Sequence, residues 1–283
     1  MKRIISAFLV LIMVVLCFTS CEKGEGVPFV TTKSNSTTVV NTVKVTFPEG
    51  FTVPEIAQRL EENGVCPADE FLTACNTPYE GIEIDNPDER IFLLEGYVFP
   101  DTYEFYLNCD AKSALKKFID NYNAKITDEI RAQAEEQGFT VDEILTLASN
   151  IQMECDEDIE ECANVSSVFR NRLNSPSFPK LQSDVTTFYI TRKLADYLGY
   201  DSTQKVDGQS EEVQRYINLY STYYCNGLPA GPICNPSMKA IRAALNPADT
   251  DYVYFLTDPT GKDFYYASTI AEHNKNGKLA GLF

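Results

Sequence analysis

The sequence predicts an α+β fold rich in helices, with short strands and a closing hairpin. Apolar residues recur at helical spacing, most clearly Ile144, Leu147, Ala148 and Ile151, which mark one face of a helix. Residues 43–47 (VKVTF) alternate as a strand does, and residues 252–256 and 264–267 flank a turn at 258–261 as the arms of a hairpin do. Between these runs, residues 86–88 (NPD) and 227–232 (GLPAGP) carry the prolines and glycines that break regular structure.

At the N-terminus, Lys2 and Arg3 precede an apolar run over residues 4–18, followed by Thr19, Ser20 and Cys21. The run is short for a membrane span and suits the core of an export signal. Ser20-Cys21 resembles a lipobox, in which Cys21 is lipidated and becomes the mature N-terminus; an uncleaved single-pass anchor is the alternative. Residues 1–21 are therefore expected to be a signal segment or anchor. Residues 22–42 are expected to be a flexible tether, since their Ser/Thr-rich part (TTKSNSTTVVNT) lacks periodicity. After the strand at 43–47, a turn at 48–50 leads to a helix capped by Thr52 and carrying Ile56, Leu60 and Val65. A second helix starts near Ala68. This unit, residues 43–80, is too small to stand on its own core.

From residue 86 onward, an aromatic loop or strand at 94–103 (LEGYVFPDTY) precedes expected helices at 111–124 and 127–136. Thr140 and Glu143 form a capping-box signature for the next helix. Glu154 lies seven residues after Leu147 and projects from the same apolar face near the helix end. Partial desolvation there raises a carboxyl pKa towards that of a general acid. A glutamate in a last turn is also an ordinary solvated boundary residue, so spacing alone leaves both readings open. Helices are expected again at 165–173, 188–197 and 236–245, and the acidic run 156–161 reads as a solvated connection without the spacing of a calcium loop.

The 283 residues, 44% hydrophobic and 12% aromatic, are those of a globular protein with ample core. A net charge of −17 argues against a nucleic-acid partner. The single histidine, His273, excludes a multi-histidine zinc site, and neither a metal nor a cofactor is expected. Cys66/Cys75, Cys155/Cys162 and Cys225/Cys234 are neighbours in sequence. Local disulfides and buried free thiols are both open for them, and a Cys155–Cys162 bridge would pin the end of the Glu154 helix.

Several motifs converge on one resemblance. Residues 94–103 (LEGYVFPDTY), 148–155 (ASNIQMEC), 168–173 (VFRNRL), 181–186 (LQSDVT), 220–236 (YSTYYCNGLPAGPICNP), 243–247 (AALNP) and 272–274 (EHN) resemble, in order, the motifs of the endolytic murein transglycosylases, the MltG or YceG-like family. The resemblance implies a LysM-like module at 43–80 followed by a catalytic domain over 86–283. It implies a lytic transglycosylase that cleaves the MurNAc–GlcNAc bond of peptidoglycan glycan strands, with one carboxyl, Glu154, as acid and then base. It implies a bacterial envelope protein at the extracytoplasmic face of the plasma membrane, held by lipid or anchor and working with cell-wall synthases. The candidate substrate-binding residues are Asn171, Gln182, Asp184, Glu95 and Tyr97. For Asn171 and Gln182, sugar contact and loop fastening stand level; for Asp184, positioning competes with a second-acid role; Glu95 also reads as a buried hydrogen-bonding partner. Core packing is expected for two of Tyr97, Phe99 and Tyr103, and His273 is expected to be structural. Gln152 stands where the family has the first acid of its glutamate pair, Asn150 replaces an apolar residue, Val185 a proline and Ala230 a proline. A non-catalytic peptidoglycan-binding lipoprotein on the same scaffold is the alternative function, and a cysteine hydrolase using His273 a third.

Overall fold

The first strand finds no partner near it in sequence. In the computed structural model, which describes residues 41–155 and 158–282, β1 (Thr42–Thr46) pairs antiparallel with β2 (Thr102–Tyr106), setting Val45 against Tyr103 and Val43 against Phe105. The expected signal segment, Cys21 and all but the end of the tether lie outside the described residues. Between the strands come α1 (Val53–Glu62) and α2 (Ala68–Cys75). Thr52 caps α1, as the sequence predicts, and the structure adds a complete capping box with Glu55. The expected boundary near residue 80 therefore falls inside a β-α-α-β arrangement whose last strand begins at the end of the aromatic motif. Aromatic rings from the end of β1, from β2 and from the helix that follows pack this arrangement: Phe47, Phe105 and Phe118 are buried, with Phe47 and Phe118 centroids 5.0 Å apart, edge to face. The described residues cluster as one compact unit.

Next come α3 (Ala111–Lys125), α4 (Asp128–Glu136), α5 (Val141–Glu154) and α6 (Ile159–Leu173). The Thr140–Glu143 capping box of α5 forms as expected, at 3.0 and 2.9 Å. The single apolar face does not: Thr146, Ser149, Asn150 and Gln152 are buried along with the apolar residues. From Ile144 to Gln152, α5 is enclosed on all sides, as a central helix is. The acidic run is not wholly a connection, because Asp158 caps α6 and Ile159–Glu161 form its first turn, where carboxylates favour the helix dipole.

The expected helix at 188–197 is broken into α7 (Asp184–Phe188), a π-helical turn (Tyr189–Lys193) and α8 (Ala195–Leu198). The sequence reading missed α9 (Glu211–Tyr220), although Ser210 caps it and Val213, Ile217 and Tyr220 recur at helical spacing on its buried side. After α10 (Met238–Leu245), β3 (Tyr254–Thr257) and β4 (Phe264–Ala267) form the expected hairpin, and α11 (Ile270–Leu279), also missed, closes the chain. No helix among the described residues is long and apolar enough to cross a membrane.

Two glycines show why the motif loops have their sequences. Gly96 has φ +90°, and a Cβ there would lie 2.5 Å from Pro232. Gly231 has the Arg90 guanidinium where a Cβ would go, and that guanidinium forms a buried ion pair with Asp142 in the first turn of α5.

Candidate active site

Glu154 is the last residue of α5, half-buried, and the Ser183 hydroxyl donates to its Oε1 at 2.6 Å. Ser183 is fixed in turn: its N–H donates to Thr222 Oγ1 at 2.9 Å, and its carbonyl accepts from Thr186 Oγ1 at 2.7 Å. Gln182 bears the cost of this turn, a left-handed φ of 52°. With Gln182 N–H donating to Thr222 O at 3.1 Å, the 181–186 motif is laced to the 220–224 segment.

Around Glu154 lies a cavity of about 500 Å³ lined by Arg172, Gln182, Ser183, Asp184, Tyr223, Tyr254 and His273 among others. Asp184 begins α7 and accepts from the Tyr223 hydroxyl at 2.8 Å. Arg172 reaches in from α6, donating Nε to Val253 O at 2.6 Å and Nη1 to Leu181 O. Burial raises the Glu154 pKa above the usual carboxylate range; the Ser183 bond opposes this, neighbouring Asp184 adds to it and the Arg172 charge opposes it. The site therefore offers a carboxyl biased towards its protonated form, open to a polar groove with aromatic walls.

The cavity thus brings together Glu154, Gln182 and Asp184, and leaves the other expected site residues elsewhere. Asn171 clamps the chain before the hairpin, donating Nδ2 to Thr250 O at 2.8 Å and Tyr252 O at 2.9 Å. Glu95 is fully buried, accepting from Val53 N at 3.0 Å, Asn235 Nδ2 at 2.8 Å and Tyr189 OH at 3.1 Å. It anchors the start of α1, and burial pushes its pKa up to about 8 against those hydrogen bonds. Tyr97 is buried too, its hydroxyl donating to Asp142 Oδ1 at 2.6 Å. A substrate-binding role for Glu95 and Tyr97 is corrected by their enclosure, and Phe99 and Tyr103 are likewise buried.

Gln152 points away from the cleft. Its Oε1 accepts the N–H of Ser237, the N-cap of α10, at 3.0 Å, so it braces the two central helices. Sequence reasoning missed Ser183, Arg172, Tyr223 and Tyr254, although three of the four stand inside quoted motifs. His273, expected to be structural, lines the cavity. No cysteine does. Cys155 and Cys162 are bridged, with Cα atoms 5.3 Å apart, directly after Glu154. Cys66, Cys75, Cys109, Cys225 and Cys234 are free thiols.

Fold and site together define a helix-rich α+β protein that sets a desolvated glutamate, held by a serine hydroxyl, at the wall of a polar, aromatic-rimmed groove. Its sequence matches the model of the YceG-like family over residues 29–278, and the chain belongs to that family. It is 33% identical over 183 residues to an endolytic murein transglycosylase of Bacillus subtilis (strain 168), covering 64% of this chain and 46% of the relative. It is 26% identical over 250 residues to the endolytic murein transglycosylase of Streptococcus pneumoniae serotype 2 (strain D39), covering 82% of this chain and 43% of the relative. The chain thus spans less than half the length of these curated relatives. The crystal structure of a yceG-like protein from Listeria monocytogenes is similar with a TM-score of 0.63 at 27% identity, covering 82% of this chain and 75% of that one.

Proposed function

We propose that this protein is a lytic transglycosylase that cuts the MurNAc–GlcNAc bond within peptidoglycan glycan strands and leaves 1,6-anhydro-MurNAc ends. The observation that carries the reading is Glu154, a cleft carboxyl raised in pKa by burial and held on one oxygen by Ser183. With Oε1 engaged, the transferable proton sits on Oε2. Glu154 gives it to the glycosidic oxygen as the C1–O bond breaks, and the MurNAc acetamido oxygen assists at C1. The resulting carboxylate then takes the proton of the C6 hydroxyl, whose oxygen closes on C1 and displaces the acetamido oxygen. No water is consumed. Gln182, Asp184 and Tyr223 lie where they can hold the sugars.

The reading carries further expectations: an extracytoplasmic position at the bacterial plasma membrane, attachment by lipid on Cys21 or by an N-terminal anchor, and work beside cell-wall synthases. The β1-α1-α2-β2 order supports a LysM-like glycan-binding part, with its closing strand at Thr102–Tyr106.

The test is digestion of purified, uncrosslinked glycan strands, read by mass spectrometry, with the Glu154→Gln variant beside the native protein. Anhydro ends from the native protein alone support the reading. Reducing ends would mean hydrolysis and direct attention to Asp184 as a second acid. Binding without any cleavage would favour the non-catalytic peptidoglycan-binding lipoprotein. The pH profile has a sign: Glu154 must start protonated, so the rate falls as pH rises through its raised pKa. Asp184→Asn removes a nearby negative charge and shifts that fall to lower pH. A profile unmoved by Asp184→Asn would rule out this account of the acid.

A further inference from the structure

The wall of the cleft formed by the C-terminal segment contains a residue that the mechanism above does not use. His273, the chain's single histidine, lies in the first half of α11 and lines the cavity with Glu154, Arg172, Ile270 and Leu282. Its ring is stacked on Tyr254, with centroids 5.1 Å apart and planes 28° from parallel. Nδ1 is buried without a hydrogen-bond partner. With Nδ1 sealed off, Nε2 is the ring nitrogen left to meet a ligand, and in the Nε2–H tautomer of the neutral ring it does so as a donor. Burial, and then the Arg172 charge, hold the imidazole below its ordinary pKa and so uncharged. The result is a neutral N–H donor, fixed in plane by an aromatic neighbour, in the same groove as the acid. Such a donor suits a ligand rich in hydroxyl and amide oxygens and carrying no charge at the contact.

We infer that His273 is a substrate-binding residue of the Glu154 cleft, its Nε2–H donating to a hydroxyl or N-acetyl oxygen of the sugar bound there. This rests on the carbohydrate reading above. The competing role is packing: a ring that only completes the stack on Tyr254. Two variants separate them. His273→Phe keeps an aromatic ring on Tyr254 and removes the donor; His273→Gln removes the ring and keeps an N–H near the position of Nε2.

In the full-length protein acting on uncrosslinked glycan strands, His273→Phe should lower kcat/KM by about tenfold or more, mainly through KM, the effect of losing one hydrogen bond to substrate. His273→Gln should stay within about threefold of the native protein, since the donor is retained. A Phe variant as active as the native protein, or a Gln variant as poor as the Phe one, overturns the inference. A second measurement does not depend on how the variants fold. Selective ¹⁵N-histidine labelling of Glu154→Gln without a histidine tag gives one imidazole, which should show the neutral Nε2–H form and an Nε2 resonance that moves as glycan strands are added. An Nε2 signal unmoved at saturating strand concentration overturns the inference as well. If the native protein neither binds nor cuts glycan strands, the function proposed above fails and this inference with it. Normal cutting by His273→Phe sinks only the role of His273.

Discussion

Glu95 shows how a motif residue can be essential to a fold without meeting substrate. Its carboxyl sits at the first N–H of α1 and gathers donors from Asn235 and Tyr189. Because its folded pKa, about 8, exceeds the ordinary 4.5, the folded protein binds the proton more tightly than the unfolded chain does. The stability this contributes is full below pH 4.5 and is lost as pH rises through about 8. Melting temperature should therefore fall across that window, and Glu95→Gln should flatten the fall; an unchanged slope would show that Glu95 is ionised throughout. Asn150 is a second case. It is fully buried in α5, and neither its Nδ2 nor its Oδ1 has a partner. Asn150→Leu, with the same branching and no polar atoms, should stabilise the protein by about 1–3 kcal/mol, read as a higher thermal midpoint. A lower midpoint would mean that the site has no room for the larger side chain. The motif letters told these residues apart poorly from the cleft residues. A motif constrains which side chain is present, whereas exposure depends on chain segments distant in sequence: Tyr97 points inward because Asp142 is there to receive its hydroxyl.

At the scale of the element, α5 delivers Glu154, the proposed acid, and both its ends are fixed by features written in the sequence. The capping box at Thr140 was legible because its partners are three residues apart. Local signals of the same kind placed α1, α10 and the β3–β4 hairpin. The amphipathic character of α5 was misread because burial on its polar side comes from packing against α10 and from the Gln152–Ser237 bond, both long-range. Its far end is held by the Cys155–Cys162 bridge, which joins residues seven apart. Closing so short a loop stabilises the fold by about 2–3 kcal/mol in the chain-entropy account. With Cys155 the residue after Glu154, reduction or Cys155→Ser should lower kcat several-fold beyond any loss of folded protein, because the acid loses its fixed position. The measurement is the rate per folded molecule, with folding followed by circular dichroism. An unchanged rate would leave the bridge a purely structural staple.

At the scale of the whole molecule, the sequence reading divides the chain where the structure joins it. A boundary at 80–86 separates β1 from β2, Phe47 from Phe105 and Phe118, and Glu95 from the Val53 N–H. None of these pairings is visible to a local reading, since a strand's partner more than fifty residues away leaves no periodic trace in sequence. A catalytic fragment of residues 86–283 would begin with β2 as an unpaired edge and with the aromatic faces of Tyr103, Phe105 and Phe118 uncovered. Exposing each large apolar side chain costs about 1.5–3 kcal/mol, and the whole stability of a domain is about 5–15 kcal/mol. The buried Glu95 would also lose its α1 donor, leaving a carboxyl with fewer partners in an apolar setting. The fragment 86–283 should therefore fail to fold cooperatively, while one beginning at residue 41 should melt in a single transition. Thermal unfolding followed by circular dichroism, with amide dispersion by NMR, tests both. A cooperative melt from 86–283 would show that the β-α-α-β part is an accessory to the cleft. Its absence would mean that any glycan contact made by that part bears on a surface continuous with the core behind Glu154.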